Sequence, residues 1–418
     1  MQTDAEPFLQ RVRAFPDDDV PRLIFADWLD EQGDREVARA AFIRVQVALA
    51  GVPDDDARRP GLLVAERELL DAHGGEWEAP FRGLATGLEF RRGFVDEVKI
   101  AARQYVRHAD ELFTAGPIRH VHLLDIGGSL QAVVQSPYLS RLSALTVYAQ
   151  HAGEPLARAV ARSPHLTGLR SLHLGRNRLG DDAAVHLAGS PGLAHLEELD
   201  LSENEIGEAG ARALAASPHL GGLRRLELRH NPIGPAGAES LAGSDRLASL
   251  DRLGLAGTGL GVPRLHALPR VSDLLRVAAL DLTGNGIGAA ALKSLLTRPA
   301  RGADAVRLRE LDLSHNELGE AGARVLAEAM VLDDLKVLRL TGCNIPDDGA
   351  RALALSPHLG RLTTLDFGNN PVNDPGFRAF LDSPHLRDLR RLVVPGIGVS
   401  LRMRRALDHR FHRGLVRF

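Results

Sequence analysis

The chain has 418 residues, more than a single compact core normally contains, so it needs either several domains or an elongated repeat architecture. Hydrophobic residues make up 44% of it, enough to bury a core, and the formal charge of −3 excludes a global electrostatic preference for nucleic acid or membrane. The single cysteine, Cys343, excludes an intrachain disulfide.

Residues 1–50 predict a small helical module. Helices are expected over Glu6–Ala14, from a cap at Asp19 to a stop at Gly33, and over Arg35–Ala50. Helices this short bury little surface alone, so we expect them to pack together and against the repeats that follow.

Residues 51–117 are interpreted as a connector and the N-terminal cap of a repeat array. A helix is expected over Leu62–His73 and is ended by Gly74 and the next glycine. The segment Leu88–Ile100 alternates like an extended chain, with a bend at its central glycine, and predicts the first strand of the array. A helix near Arg103–Thr114 follows.

Residues 118–397 carry the phrase L-x-x-L-x-L-x-x-N-x-(L/I) at a nearly constant step of 27 residues. A fixed period of this length is typical of stacked repeats that each contact only their neighbours. The first apolar positions of about eleven units are Ile118, Leu142, Leu169, Leu196, Leu223, Leu250, Val277, Leu308, Leu335, Leu362 and Leu389.

Each unit predicts a short strand, an asparagine-containing bend and a helix. In the unit that begins at Leu196, Leu199 and Leu201 face inward from the strand, and Asn204 bonds to backbone groups inside the bend. Strands stack about 4.8 Å apart, whereas helix axes need roughly 8–10 Å, so the array bends with its strands on the concave side. The prediction is a right-handed α/β solenoid shaped like a horseshoe, with helices on the convex side.

Three irregularities interrupt the repeats. Thr258 replaces the asparagine in the unit that begins at Leu250, and Pro263 and Pro269 disfavour its helix. An insertion is expected around residues 298–306.

Residues 398–418 predict a basic helix that caps the last repeat, with contact to a membrane surface or nucleic acid as the alternative.

The repeats resemble the leucine-rich repeat family, specifically its ribonuclease-inhibitor-like subclass. The N-terminal module resembles the repeat-companion domain of planctomycete-type bacteria. That second resemblance rests on Glu6-Pro-Phe-Leu9, on Pro21-Arg-Leu-Ile-Phe-Ala-Asp-Trp-Leu-Asp-Glu-Gln-Gly-Asp34 and on Phe42-Ile-Arg-Val-Gln46. It implies a bacterial protein and assigns no chemistry to the module.

The sequence contains no recognisable enzyme motif. Gly-Lys-(Ser/Thr), His-Glu-x-x-His and Gly-x-Ser-x-Gly are absent, and Cys343 occupies an asparagine position of a repeat. We therefore predict no catalytic residue, no cofactor and no metal site. The His of each Ser-Pro-His-Leu is interpreted as part of a helix exit, and a metal site formed by His358 and His385 is the alternative.

One residue between the two inner leucines of each unit must face the concave side. Many of these residues are acidic, which indicates either the generic repeat consensus or a surface selected to bind a basic partner. Such a surface would repel nucleic acid. The candidate partner-binding residues are Tyr148, His173, Glu198, Asp200, Glu227, Arg229, Asp281, Glu310, Asp312, Arg339 and Asp366.

The sequence therefore predicts a non-catalytic scaffold that binds a protein or peptide, preferably a basic one, on its concave face. Two alternatives stay open. A regulator of a nucleotide-hydrolysing partner would act through Arg225, Arg229, His230 and Arg252, and a structural protein would self-associate. No secretory signal or membrane-spanning run is visible, so a cytoplasmic location is expected.

Overall fold

The computed structural model forms two compact units. The first comprises Met1–Gln150 and Arg162–His173, and the second comprises His151–Ala161 and Leu174–Phe418. The structure describes residues 2–53, 56–261, 271–297 and 306–411. The two prolines predicted to disfavour a helix, most of the predicted insertion at 298–306 and the last seven residues of the tail lie outside these ranges.

The first unit begins with helices and continues into a sheet. Its helices are α1 (Gln2–Ala14), α2 (Val20–Asp30), α3 (Asp34–Gly51), α4 (Arg59–Trp77), α5 (Ala102–Ala115) and α6 (Leu130–Val134). Its strands are β1 (Gly87–Arg91), β2 (Phe94–Ala101), β3 (His120–Leu124), β4 (Ala144–Thr146) and β5 (Ser171–His173). β1 and β2 are antiparallel, and the strands from β2 to β5 pair in parallel.

Two predicted elements of this unit were wrong. The single bent strand over Leu88–Ile100 is a hairpin, whose turn residues Arg92 and Gly93 have φ of 51° and 87°, as a tight two-residue turn requires. A side chain at Gly93 would lie 2.7 Å from the Cα of Ile43, so only glycine allows α3 to contact the turn. The helix predicted to end at Gly74 continues to Trp77, which stacks on Phe42 with ring centroids 4.6 Å apart.

The N-terminal helices pack on the hairpin. Val12, Phe25, Leu29 and Ile43 form a buried cluster with Phe94 from β2. The module therefore packs on the β1–β2 hairpin, which completes the core that three short helices cannot form alone.

The second unit repeats one pattern of strand and helix. Its strands are β6 (Glu198–Asp200), β7 (Arg225–Glu227), β8 (Arg252–Gly254), β9 (Ala279–Asp281), β10 (Glu310–Asp312), β11 (Val337–Arg339), β12 (Thr364–Asp366) and β13 (Arg391–Val393). Its helices are α7 (Gly153–Ala161), α8 (Asp181–Ala188), α9 (Glu208–Ala216), α10 (Gly234–Ala242), α11 (Ala289–Leu295), α12 (Gly319–Ala327), α13 (Asp347–Ala354), α14 (Asp374–Asp382) and α15 (Leu401–Phe411).

Strands β6 to β13 pair in parallel in chain order. Each helix from α7 to α10 packs on its neighbour, as does each helix from α11 to α15. The predicted α/β repeat solenoid is confirmed. At its end, α15 packs on α14 and buries Met403, Leu407 and Phe411, the arrangement expected of a cap.

Buried asparagines link consecutive repeats. The Oδ1 atom of Asn204 accepts the backbone N–H groups of Asn177 at 2.8 Å and Leu179 at 3.0 Å in the preceding repeat. Its Nδ2 atom donates to the carbonyl of Leu174 at 3.0 Å and to that of Leu201 at 2.9 Å. One amide therefore satisfies donors and acceptors of two neighbouring bends. Asn231, Asn285, Asn316 and Asn370 make equivalent bonds to their preceding repeats.

The repeats that begin at Leu250 and Leu335 have Thr258 and Cys343 in the asparagine position. Thr258 donates its hydroxyl to the carbonyl of Leu255 at 2.7 Å, and its own carbonyl accepts the N–H of Gly234 at 2.9 Å. The carbonyl of Cys343 accepts from Gly319 at 3.1 Å. Both glycines have positive φ, 63° and 58°, a conformation that brings their N–H groups within reach of the next repeat.

Serines at the helix exits form a second link, which the sequence did not predict. The Ser217 hydroxyl donates to the carbonyl of Ala188 at 2.6 Å and accepts the N–H of His219 at 3.1 Å. Five further serines bond in the same way to the preceding helix end: Ser163, Ser190, Ser244, Ser356 and Ser383. In the Ser-Pro-His-Leu motif, the serine side chain therefore links the helix exit to the preceding repeat.

Replacing Asn231 by alanine is expected to lower the free energy of unfolding by about 3 kcal/mol, because buried backbone groups of two repeats lose their partner. Asn231→Thr should cost less, since a threonine hydroxyl at this position keeps one such bond in a neighbouring repeat. Urea unfolding measures both, with the exposed Glu205→Ala as the control. Equal stability of Asn231→Ala and the control would contradict the role of the amide.

Candidate partner-binding surface

The central leucine of every strand in the second unit is buried, so the residues on either side of it point outward. Leu199, Leu226 and Leu311 are fully buried, whereas their neighbours are partly exposed in most strands. We call the surface formed by the first and third residues of β6 to β13 the strand face. Asp281 and Asp312 are register partners on it.

The aspartates of the strand face have a structural role besides their charge. In four repeats Oδ1 accepts the backbone N–H two residues later, which closes the end of the strand as an Asx-turn does. The pairs are Asp200 with Ser202 at 2.8 Å, Asp281 with Thr283 at 2.9 Å, Asp312 with Ser314 at 2.9 Å, and Asp366 with Gly368 at 2.9 Å. The repeated aspartate is therefore explained in part by the backbone.

Arginines on the strand face form ion pairs across strands. Arg225 lies 3.0 Å from Glu198 of the preceding strand. Arg252 reaches Glu310 two strands away at 3.3 Å, and Arg339 approaches the same carboxylate at 3.9 Å. Pairs this exposed each contribute about 0–1 kcal/mol to stability. They position the side chains more than they stabilise the fold, and the strand face is mixed in charge rather than uniformly acidic.

A hollow lies in the strand face where the outward residues are small. Gly254 and Ala279 provide no bulk there, and the cleft has a volume of about 160 Å³. A side chain at Gly254 would lie 2.0 Å from Oε1 of Glu227, so the glutamate leans over the glycine. The charged residues that line the hollow are Arg225, Glu227, Arg252, Asp281, Glu310, Asp312 and Arg339.

Glu227 is a partly buried carboxylate at the hollow. Burial raises its pKa above the ordinary 4.5, and the nearby Asp200 and Asp281 raise it further, while the N–H of Arg229 opposes them. Four carboxylates face three arginines at the hollow, so a cation close to Glu227 and Asp281 is the complementary ligand.

Five of the eleven residues predicted for partner binding line the hollow: Glu227, Asp281, Glu310, Asp312 and Arg339. The others lie elsewhere, with Glu198, Asp200, Arg229 and Asp366 in the second unit and Tyr148 and His173 in the first. Arg225, Arg252, Gly254 and Ala279 were not among the predicted residues. The sequence did contain a signal for the hollow, because the consecutive strands β8 and β9 each have a small outward residue, Gly254 and Ala279.

His173 belongs to a polar cluster of the first unit. His120 lies 2.9 Å from Glu97 and 2.8 Å from the hydroxyl of Thr146. Its ring stacks on that of His173 with centroids 6.4 Å apart, and His173 bonds to Ser171 at 2.6 Å. These contacts join the outward residues of four neighbouring strands.

Burial shifts the pKa values of residues in and beside this cluster. The pKa of His120 is lowered by burial and by the nearby His173, and that of His122 is lowered by burial and by Lys99. Burial raises the pKa of Glu97. Within the described ranges, no group of three or more His, Cys, Asp or Glu is placed to hold a metal ion.

Cys343 is fully buried, and its Sγ lies 3.1 Å from the carbonyl of Leu313. Burial raises the pKa of this thiol to about 11, so the nucleophilic thiolate does not form at neutral pH. The alternative metal ligand His358 instead contacts Asp333 at 2.7 Å. Among the residues that the structure describes, no helix is long and apolar enough to cross a membrane.

Comparison with known proteins identifies the repeats. A family model described as the leucine-rich repeat matches residues 165–188, 192–215, 223–242, 308–327 and 334–354. The chain therefore contains leucine-rich repeats, and all five matches lie in the segment predicted to be repetitive. No curated protein matches the sequence significantly.

Several solved structures are similar to this chain. A chain of the yeast Rad7–Elc1 complex matches with 16% identity and a TM-score of 0.41, over 90% of this chain and 92% of that one. The TLR13–ssRNA13 complex matches with 17% identity and a TM-score of 0.42, over 72% and 45% of the two chains. A protein from Bacteroides fragilis matches with 16% identity and a TM-score of 0.36, over 62% and 68%. Similarity at this level says nothing about what this chain binds.

We expect Glu227→Gln to change how stability depends on pH. Because the pKa of Glu227 is raised in the folded chain, the folded chain binds this proton more tightly than the unfolded chain does. Its contribution is full below pH 4.5, the ordinary value, and is lost as the pH rises through the folded-state pKa. Thermal unfolding from acid to neutral pH should show this loss in the wild type and in the exposed control Glu205→Gln, but not in Glu227→Gln. Identical profiles would exclude a perturbed Glu227.

Proposed function

We propose that the protein is a non-catalytic scaffold whose strand face binds a basic segment of a protein partner. In this proposal a Lys or Arg side chain of the partner enters the hollow and pairs with the Glu227 carboxylate that covers Gly254. The observation that carries the proposal is the convergence of Glu227, Asp281 and Asp312 on one open cleft.

Electrostatics favour a cationic side chain in this position. The acids that raise the pKa of Glu227 are held close to it by the strand spacing, and a bound cation would relieve their mutual repulsion. The same charges would speed association by attracting a basic partner over several ångströms.

The arginines at the hollow would recognise the rest of the bound segment. Arg225, Arg252 and Arg339 line the hollow beside the acids. A guanidinium presents five N–H donors, more than one ion pair uses, so carbonyl or carboxylate groups that flank the basic residue can be bound as well. The expected ligand is a polar peptide with one basic anchor rather than a polycation.

Further proposals rest on the sequence patterns. We propose that the repeats belong to the ribonuclease-inhibitor-like subclass, that residues 1–50 form a repeat-companion-like module and that the protein is a bacterial cytoplasmic one. We also propose that nucleic acid does not bind the strand face. A regulator of a nucleotide-hydrolysing partner has no separate support, since nothing singles out Arg225 or Arg252 for that role. Self-association has no separate support.

A peptide display library panned on the wild type is expected to enrich sequences with Lys or Arg at one position. The double variant Asp281→Asn/Asp312→Asn should lose this enrichment and bind a selected peptide at least about tenfold more weakly, because two charges of the hollow are removed. Asparagine keeps the Oδ1 atom that accepts the backbone N–H groups, so the strand ends are preserved.

Asp366→Asn is the matched control, because Asp366 has the same backbone bond but does not line the hollow. It should select the same peptides as the wild type. Enrichment without basic residues, or equal selection by the double variant and the wild type, would reject the proposed function.

A further inference from the structure

A second pocket lies in the first unit. It has a volume of about 110 Å³, and its walls come from the loop before α2, from α2, from the β1–β2 hairpin and from the residues before β3 and β4. The residues that line it are Pro16, Asp17, Arg22, Arg91, Arg92, Asp96, Arg119 and Ser143.

Positive charge dominates this pocket. Four arginines line it against two carboxylates, a difference of two positive charges. Two of the arginines, Arg91 and Arg92, are placed by the tight turn of the hairpin, which only Gly93 allows at its contact with α3. The fold therefore directs guanidinium groups to this position through a specific backbone conformation.

Arg22 is the most informative of the four. Only 2% of its surface is exposed, and its Nε atom is buried without a hydrogen-bond partner. Its Nη1 atom donates to the carbonyl of Asp18 at 2.8 Å, a neutral acceptor. A buried guanidinium with an unsatisfied donor and a neutral partner is costly unless an anion completes its environment.

The acids around the pocket are engaged with other groups. Asp17 accepts from Arg119 at 3.0 Å, and Asp19, just outside the lining, lies 3.4 Å from Arg92. Burial raises the pKa of Asp96, while Arg91, Arg119 and Arg22 oppose that shift. The charged neighbours of Arg22 are two further cations, Arg92 and Arg119, which lower its pKa after burial itself, and two carboxylates, Asp19 and Asp96, which raise it.

We propose that this pocket binds a small tetrahedral oxyanion, a phosphate group, through Arg22, Arg91 and Arg119. A cavity needs roughly 10–15 Å³ of volume to hold one water molecule, so a pocket of about 110 Å³ leaves room for five heavy atoms. The guanidinium fork matches the oxygen spacing of phosphate. The source is either the free ion or the phosphate of a modified side chain. This site is independent of the peptide-binding hollow.

Phosphate binding can be tested on the full chain by isothermal titration with inorganic phosphate at constant ionic strength, with chloride as the reference anion. The wild type should bind phosphate saturably, and its unfolding temperature should rise with the occupancy. Arg91→Gln and Arg119→Gln should each weaken the affinity by about tenfold or more, because each removes a charge-assisted bond. Arg91 is exposed and lies at the pocket mouth, so its replacement should leave the fold intact.

Arg67→Gln is the control, because Arg67 on α4 is exposed and does not line the pocket. It should bind phosphate as the wild type does. O-Phosphoserine in a parallel titration distinguishes the sources, since tighter binding than inorganic phosphate assigns the site to a phosphorylated side chain and weaker binding assigns it to the free ion. An absence of saturable phosphate binding beyond chloride, or unchanged affinity in both arginine variants, would overturn the proposal.

Discussion

The hydrogen bonds of the buried asparagines are the constraint on which the rest of the second unit depends. Asn204 joins the bend of its own repeat to that of the preceding one through both atoms of its amide. A bend buried in the core has backbone groups that cannot reach water, and leaving them unpaired is more costly than any surface ion pair. Each repeat must therefore stack in one register, which aligns the outward residues of the strands.

That register gives the strand face its chemistry. With the central leucines buried, the residues on either side form columns a strand spacing apart, and charges of neighbouring repeats must interact. Part of this charge is compensated. Asp281 and Asp312 accept hydrogen bonds from backbone N–H groups, and arginines form ion pairs with Glu198 and Glu310. The hollow at Gly254 is where this compensation is incomplete.

Much of the fold could be predicted because leucine and asparagine must be buried at fixed positions in every repeat. The local elements of the first unit could not, because distant contacts decide them. Trp77 stacks on Phe42, and this contact stabilises α4 beyond Gly74 although glycine has an unfavourable helix propensity. The lining of the hollow was predicted only in part. Its shape depends on which side chain covers Gly254, and the spacing of the repeats does not determine side-chain rotamers.

Hydrogen exchange of Asn204→Ala tests the asparagine link most directly. The account predicts faster exchange at the amides of Asn177 and Leu179, which the Asn204 side chain accepts in the native chain, while Ile206, bonded to Asn231, stays protected. Unchanged protection at Asn177 and Leu179, or an equal loss at all three amides, would contradict the claim that each asparagine holds the bend of the preceding repeat.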